Sequence, residues 1–138
     1  MIQRVQTLYL AVAAVLLVVV TAAMNRANAG TEPMVVEVGA MLIAGFLAVV
    51  SLGSVFLFAN RTRQAQVVRW TRLGCLVLLL SLGLLIFAGD RTAAMLSGED
   101  GDLIVATIGS LLTLGFLHLA SSAVKRDIQL IKSMDRIR

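Results

Sequence analysis

Few side chains in this 138-residue chain can carry chemistry, and the first to consider is His118, the single histidine. It stands inside a long apolar run, where an ionisable residue often serves as a proton relay, a quinone contact or a haem ligand. A bis-histidine haem needs a second histidine, and a relay needs a carboxylate at a similar depth, which this run lacks. We therefore interpret His118 as a neutral imidazole that hydrogen-bonds a serine or carbonyl and joins two helices, with a relay or cofactor contact as the alternative.

Two acidic features are candidates for ion binding. Glu37 is interpreted as an interfacial carboxylate near a helix N-terminus, where the helix dipole stabilises its charge. The segment 97–102 holds three acids beside two glycines, but it lacks the alternating ligands and terminal glutamate of a calcium-binding loop. We interpret it as a solvated turn in which Asp102 caps the next helix. We predict no catalytic residues, no metal site and no cofactor, and hence no enzyme.

Four long apolar blocks dominate the chain, which is 59% hydrophobic and 14% charged, with a mean hydropathy of +0.92. The charged residues are confined to the gaps between the blocks, a pattern typical of membrane helices rather than of a soluble core. We predict a single all-α domain, residues 1–138, that forms a bundle of four transmembrane helices. Its spans are expected at about residues 5–24, 34–60, 67–89 and 103–124.

The basic residues are divided unequally between the two sides of such a bundle. Ten of the twelve would lie on the side of the two chain termini and of the loop between the second and third helices. Arg26 and Arg91 would lie on the other side. Because basic loops remain in the cytoplasm, we predict a bacterial inner-membrane protein with both termini cytoplasmic. The same distribution explains the sequence pI of about 10.2 without a nucleic-acid partner.

Small residues recur at helical spacing on two of the predicted helices. Ala40, Ala44 and Ala48 form a ridge on the second helix, and Gly109 and Thr113 form a shorter one on the fourth. Such surfaces allow helices to approach closely within lipid. We expect them to pack helices together, within this chain, against other proteins, or both.

The segment after Val124 combines basic residues with apolar side chains at intervals of three and four residues. This pattern predicts an amphipathic helical tail over 125–138, either continuing the fourth helix into the cytoplasm or lying on the anionic leaflet. The tail then serves as a topological anchor alone or also as a docking surface. The residues expected to contact a partner or lipid are Lys125, Arg126, Leu130, Ile131, Met134 and Ile137.

Three stretches of the chain resemble one known family. The opening MIQRVQTLYL is similar to that family's MIQRIQT opening, and the segment from Asn60 to Leu73 resembles its basic loop. The ending 125–138 is similar to its charged tail, with Ile128 where the family carries an acid. The chain thus resembles domain of unknown function 4293, a group of small integral membrane proteins from Bacteroidota. The resemblance implies four helices in an inner membrane, and it implies no activity.

Taken together, these features favour a non-catalytic accessory or scaffolding subunit of a larger membrane complex. We expect its partners to be membrane lipids and other integral membrane proteins, with no nucleic acid and no small-molecule substrate. The alternative is a small transporter, or a proton- or redox-coupled membrane component, that uses His118. Transport or proton flux that depends on His118 would distinguish the two.

Overall fold

The computed structural model describes residues 2–27, 35–57, 61–88 and 92–135, and nearly all of them are helical. Four of the helices are long: α1 (Ile2–Ala27), α2 (Val35–Phe56), α3 (Arg61–Ala88) and α5 (Gly101–Asp135). A short helix, α4 (Thr92–Ser97), precedes α5. Within these ranges the chain has no strand, so the predicted all-α class is confirmed.

Each long helix has the length and the apolar composition needed to cross a membrane. The shortest, α2, has 22 residues, or about 33 Å at about 1.5 Å per residue, against a hydrocarbon core of about 30 Å. The mean hydropathy of the four candidate spans lies between 2.0 and 2.5. The chain is therefore a multi-pass membrane protein with four spanning helices.

The four helices form a closed circuit in the order α1, α2, α3, α5. Helix α1 packs against α2 and α5, and α3 packs against the same two. The α1–α5 contacts pair Tyr9 with Phe116 and Arg26 with Asp102, so these two helices are antiparallel. With short connections between successive spans, the arrangement is an up-and-down bundle.

The two ends of the bundle differ in charge. At one end α1 begins, α2 ends and α3 begins, and α5 passes outward; we call it the basic end. The opposite end, where α5 begins, we call the acidic end. Described residues of the basic end include Arg63, Arg69, Arg72, Lys125 and Arg126. Those of the acidic end include Glu37, Glu99, Asp100 and Asp102, with Arg26 among them.

Buried positions on the long helices are spaced alternately by three and four residues. On α3 they are 64, 68, 71, 75, 78, 82 and 85, and on α5 they are 103, 106, 110, 113, 117, 120 and 124. This is the heptad spacing of left-handed helix bundles, in which the side chains of one helix fit between those of the next. The opposite faces are also rich in leucine and valine, because they meet lipid instead of water.

Small residues on these buried stripes bring the helices close together. The interior contains Ala40, Ala44, Ala48, Gly109 and Thr113. A Cβ atom added at Gly109 would lie 2.8 Å from Cγ2 of Val20 on α1, and one at Gly74 would lie 2.6 Å from Cδ2 of Leu47 on α2. Both distances are too short for carbon atoms. The branched Val20 side chain has little freedom to move, so the α1–α5 contact depends on glycine, whereas the end of the Leu47 side chain can shift.

The helix boundaries differ from the predicted spans in several places. Helix α1 is longer than 5–24, running from Ile2 to Ala27, and α2 is shorter than 34–60, running from Val35 to Phe56. Helix α3 begins at Arg61 rather than near Val67, because Gln64 already belongs to its buried stripe. Helix α4 was not predicted. Helix α5 runs unbroken to Asp135, since no glycine or proline interrupts it after Val124, so the tail continues the fourth span.

Candidate functional site

The structure places His118 on the outer surface of α5. Its neighbours Leu117 and Ala120 occupy the buried stripe, so position 118 faces away from the other helices. No hydrogen bond joins the imidazole to the residues that the structure describes. The interpretation that His118 hydrogen-bonds a neighbouring helix of this bundle is therefore wrong, because the heptad register turns the side chain outward.

The imidazole lies on an open, shallow apolar surface of α5. This surface comes from successive turns of one helix: Leu111, Leu112, Leu114, Gly115, Phe116, His118 and Leu119. Gly115 lies one turn before His118, and a Cβ atom added there would meet nothing within 4 Å. We call Leu111, Leu112, Gly115, His118 and Leu119 the His118 face.

At the basic end, buried polar side chains link three helices in a chain of hydrogen bonds. Gln6 Nε2 donates to Gln64 Oε1 at 2.6 Å, and Gln64 Nε2 donates to the carbonyl of Ser54 at 3.1 Å. The Ser54 hydroxyl donates to the carbonyl of Ser51 at 2.6 Å, and the Ser51 hydroxyl donates to the carbonyl of Leu10 at 3.1 Å. We call Gln6, Ser51, Ser54 and Gln64 the glutamine network. It ties the start of α1 to the end of α2 and the start of α3.

Sequence reasoning missed the glutamine network because Gln6 lies at the very start of the first predicted span and Gln64 lies before the third. The register would have revealed them: Gln6 lies four residues before buried Leu10, and Gln64 lies four before buried Val68. Amides and hydroxyls do not titrate near neutral pH, so the network holds helices together and cannot relay protons by ionising.

The buried hydroxyls of α5 bond within their own helix. Ser110 donates to the carbonyl of Ala106 at 2.8 Å, and Thr113 donates to that of Gly109 at 2.7 Å. The Cys75 thiol lies 3.5 Å from the carbonyl oxygen of Ser110. Across the described residues, every buried side-chain nitrogen or oxygen has a hydrogen-bond partner. The interior is therefore fully satisfied by the chain itself.

At the acidic end, Glu37 is buried, with 2% of its surface exposed. It lies in the first turn of α2, where the helix dipole favours its charge. The predicted position near a helix N-terminus is therefore confirmed, and the structure adds that residue 37, three before Ala40, falls on the buried stripe of α2.

The segment 97–102, which holds three acids, leads into α5 and connects α5 to α1 through an ion pair. Gly98 has a φ of 81°, a left-handed conformation that favours glycine. The carbonyl of Asp100 accepts the amides of Leu103 and Ile104 at 3.0 and 3.2 Å, so the first bonds of α5 start at Asp100. Asp102 is not the cap, because it lies inside the first turn of α5, after the helix begins at Gly101. Its carboxylate accepts a hydrogen bond from Arg26 Nε at 3.1 Å and forms an ion pair with it.

No group of three or more histidine, cysteine, aspartate or glutamate side chains comes together in the described part of the chain. The single cysteine, Cys75, is buried and free.

The predicted contact residues of the tail are placed only in part. Lys125 and Arg126 are exposed on α5, and Leu130 is 48% exposed. Arg126 and Leu130 line a cleft of about 330 Å³ between α5 and the start of α1, where Val5 and Tyr9 form the facing wall. Ile131 and Met134 lie on α5, but their side chains fall outside what the structure describes, and Ile137 lies outside the described residues altogether.

Comparison with known proteins returns one family. The model of the family "Domain of unknown function (DUF4293)" matches residues 2–137, nearly the whole chain. Neither the curated proteins nor the solved structures contain a match to this chain. The match includes the opening, the basic segment and most of the ending on which the resemblance rested. The chain belongs to the DUF4293 family.

Proposed function

We propose that this protein is a non-catalytic accessory or scaffolding subunit of a larger bacterial inner-membrane complex, and that another membrane protein covers the His118 face. The observation that carries the proposal is the outward position of His118 within an apolar surface. His118 lies seven residues before Lys125, which is about 10 Å along α5 from the first charge of the tail. The imidazole is thus at a depth where lipid chains, not water, surround an isolated bundle.

A polar group that faces lipid is costly, because hydrocarbon offers it no hydrogen bond. The chain supplies partners for the buried side chains that the structure describes, and it supplies none to His118. A helix of another protein can provide the missing acceptor or donor. Polar side chains join membrane helices in this way, at about 0.6–2 kcal/mol for each bond.

The shape of the His118 face also suits a partner helix. Gly115 leaves an open position between leucines, and a glycine on a membrane helix lets a second backbone approach closely. Leu111, Leu112 and Leu119 then pack against that helix, in the same way as leucines pack at the interior interfaces of this bundle.

The alternative function, a transporter or a proton- or redox-coupled component, would need His118 to face a path between the helices or a bound group. The buried hydroxyls of α5, Ser110 and Thr113, donate to their own helix and lie on the face opposite to His118. The geometry therefore favours the accessory role.

Co-purification in mild detergent tests the proposal. We expect a tagged wild-type chain to retain one or more integral membrane proteins, and Gly115→Leu to release them, because the new side chain fills the approach site. Gly53→Leu is the matched control, since Gly53 is exposed on α2 and a Cβ atom there also meets nothing within 4 Å. Retention of every partner by Gly115→Leu, or purification of the wild type as a lone monomer, would contradict the proposal.

The proposed orientation has both termini in the cytoplasm, and it follows from the positive charge of the basic end. A reporter that is active only outside the cytoplasm should work when fused after Gly98 and should fail when fused after Gln64 or Arg138. Activity after Arg138 would contradict the orientation or the number of spans.

A further inference from the structure

A cleft of about 470 Å³ lies between α3 and α5 near the basic end. Three cationic side chains line it: Arg69 and Arg72 from α3 and Lys125 from α5. Neutral hydrogen-bonding groups complete its polar wall, namely Thr62, Gln66 and Ser121. No carboxylate is among the described residues that line the cleft, so its charge is left for an external anion to balance.

The level of the cleft along the bundle indicates where that anion comes from. Gln64 marks a level on α3, because it bonds to Gln6 on α1 and to Ser54 on α2. Arg69 and Arg72 lie five and eight residues further along α3, about 7 and 12 Å toward the middle of the bundle. They are thus well inside the end of α3.

The neighbouring helices are still apolar at the level of Gln64. Val5 on α1 and Leu52 and Phe56 on α2 are each at least 45% exposed there. Arg69 and Arg72 therefore lie within the stretch that the rest of the bundle presents to lipid. Cations at such a depth are costly unless their side chains reach the interface and meet an anion there.

The phosphate group of an anionic phospholipid meets these requirements. It lies at the membrane interface, its oxygens match the paired donors of arginine, and hydroxyl and amide groups can bind the remaining oxygens. Basic clefts between membrane helices on the cytoplasmic side bind such headgroups in general. Leu73 and Leu76, both 42% exposed, lie one turn beyond the arginines toward the middle, where an acyl chain would run.

We propose that the cleft between α3 and α5 is a binding site for one anionic phospholipid, whose phosphate is held by Arg69, Arg72 and Lys125. This site is separate from the His118 face and does not depend on the accessory role. It selects lipid by charge, and it predicts a preference for phosphatidylglycerol over phosphatidylcholine.

Trp70, the single tryptophan, lines the surface between α2 and α3 and not the cleft, so Trp70→Phe removes it and Leu73→Trp places a reporter one turn beyond Arg69. The full chain with these two substitutions would be reconstituted in phosphatidylcholine vesicles that contain either brominated phosphatidylglycerol or brominated phosphatidylcholine. Quenching of the tryptophan fluorescence would then be compared. We expect brominated phosphatidylglycerol to quench the fluorescence several-fold more than brominated phosphatidylcholine does. We call this ratio the preference. Arg72→Gln should reduce that preference by about fivefold, the equivalent of about 1 kcal/mol per cation near the membrane.

Arg63→Gln is the control, because it removes an exposed charge from the same end of the bundle without touching the cleft. The control should keep the preference, and Lys125→Gln should lose it, which provides a second variant if Arg72→Gln fails to fold. The proposal is overturned if the wild type shows no preference, or if Arg63→Gln loses as much as the two cleft variants.

Inorganic phosphate distinguishes a lipid site from a site for a soluble anion. Added phosphate should reduce the preference no more than chloride does at equal ionic strength, because a lipid is held in the bilayer next to the cleft. If phosphate removes the preference and chloride does not, the site binds soluble phosphate and the lipid proposal is wrong.

Discussion

The two faces of α5 satisfy their polar side chains in different ways. On the inner face, Ser110 and Thr113 are buried and donate to carbonyls of the same helix. On the outer face, His118 is surrounded by leucine and has no hydrogen bond to any described residue. The inner face is therefore satisfied within the chain, whereas the outer face has a polar group without a hydrogen-bond partner among the described residues.

Glycine occurs on both faces and serves a different purpose on each. Gly109 allows Val20 of α1 to lie against α5, so the inner glycine is already in use. Gly115, six residues later, has open space around it. Glycine therefore lets α1 pack closely on the inner face of α5 and leaves room for a partner on the outer face.

Leucine substitutions at Gly109 and Gly115 should give the largest difference in stability between the two faces of α5. Gly109→Leu should lower the free energy of unfolding by about 1–3 kcal/mol or more, because the added side chain overlaps Val20. Gly115→Leu should change it by less than about 0.5 kcal/mol. Reversible unfolding in mixed micelles would measure both, and equal losses at the two positions would contradict the distinction.

A substitution in the glutamine network should lower the free energy of unfolding by less than Gly109→Leu does and by more than His118→Leu does. Gln64→Leu leaves the Gln6 amide and the Ser54 carbonyl without their partner, which should cost about 1–2 kcal/mol of unfolding free energy. Gln66→Leu, on an exposed position of the same helix, should cost less than about 0.5 kcal/mol. If the two variants are equally stable, the network does not contribute to the bundle.

His118→Leu should have the smallest effect on the isolated protein. No hydrogen bond within the described residues is lost, and leucine matches the neighbouring side chains, so the unfolding free energy should change by less than about 0.5 kcal/mol. A loss of 1–2 kcal/mol in the same unfolding measurement would indicate that the imidazole bonds within the bundle after all.

Much of the fold could be predicted from the hydropathy of the chain, because four apolar blocks separated by charges leave few alternatives to four spanning helices. The rotation of each helix could not be predicted from hydropathy. In a membrane both the interior and the outer surface are apolar, so Leu117 inside and Leu119 outside look alike. The orientation of His118 was therefore misjudged.

The spacing of small and polar residues indicates which side of each helix faces the interior. On α2 the buried stripe runs through Ala40, Ala44, Ser51 and Ser54, and it extends back to Glu37. Reading the same three- and four-residue spacing on α1 and α3 would have placed Gln6 and Gln64 inside. The start of α3 was not predicted either. The arginines in its first turns hide the three- and four-residue spacing of its buried side chains.

Site-specific photocrosslinking in intact membranes tests directly whether another protein covers the His118 face. A photoreactive amino acid would replace His118 in one chain and Gly53 in another, so that each probe projects outward from a different helix. Our account predicts a protein adduct of defined mass at position 118 and none at position 53. If the two positions label equally, or if the adducts at 118 contain only lipid, the His118 face is not a protein interface.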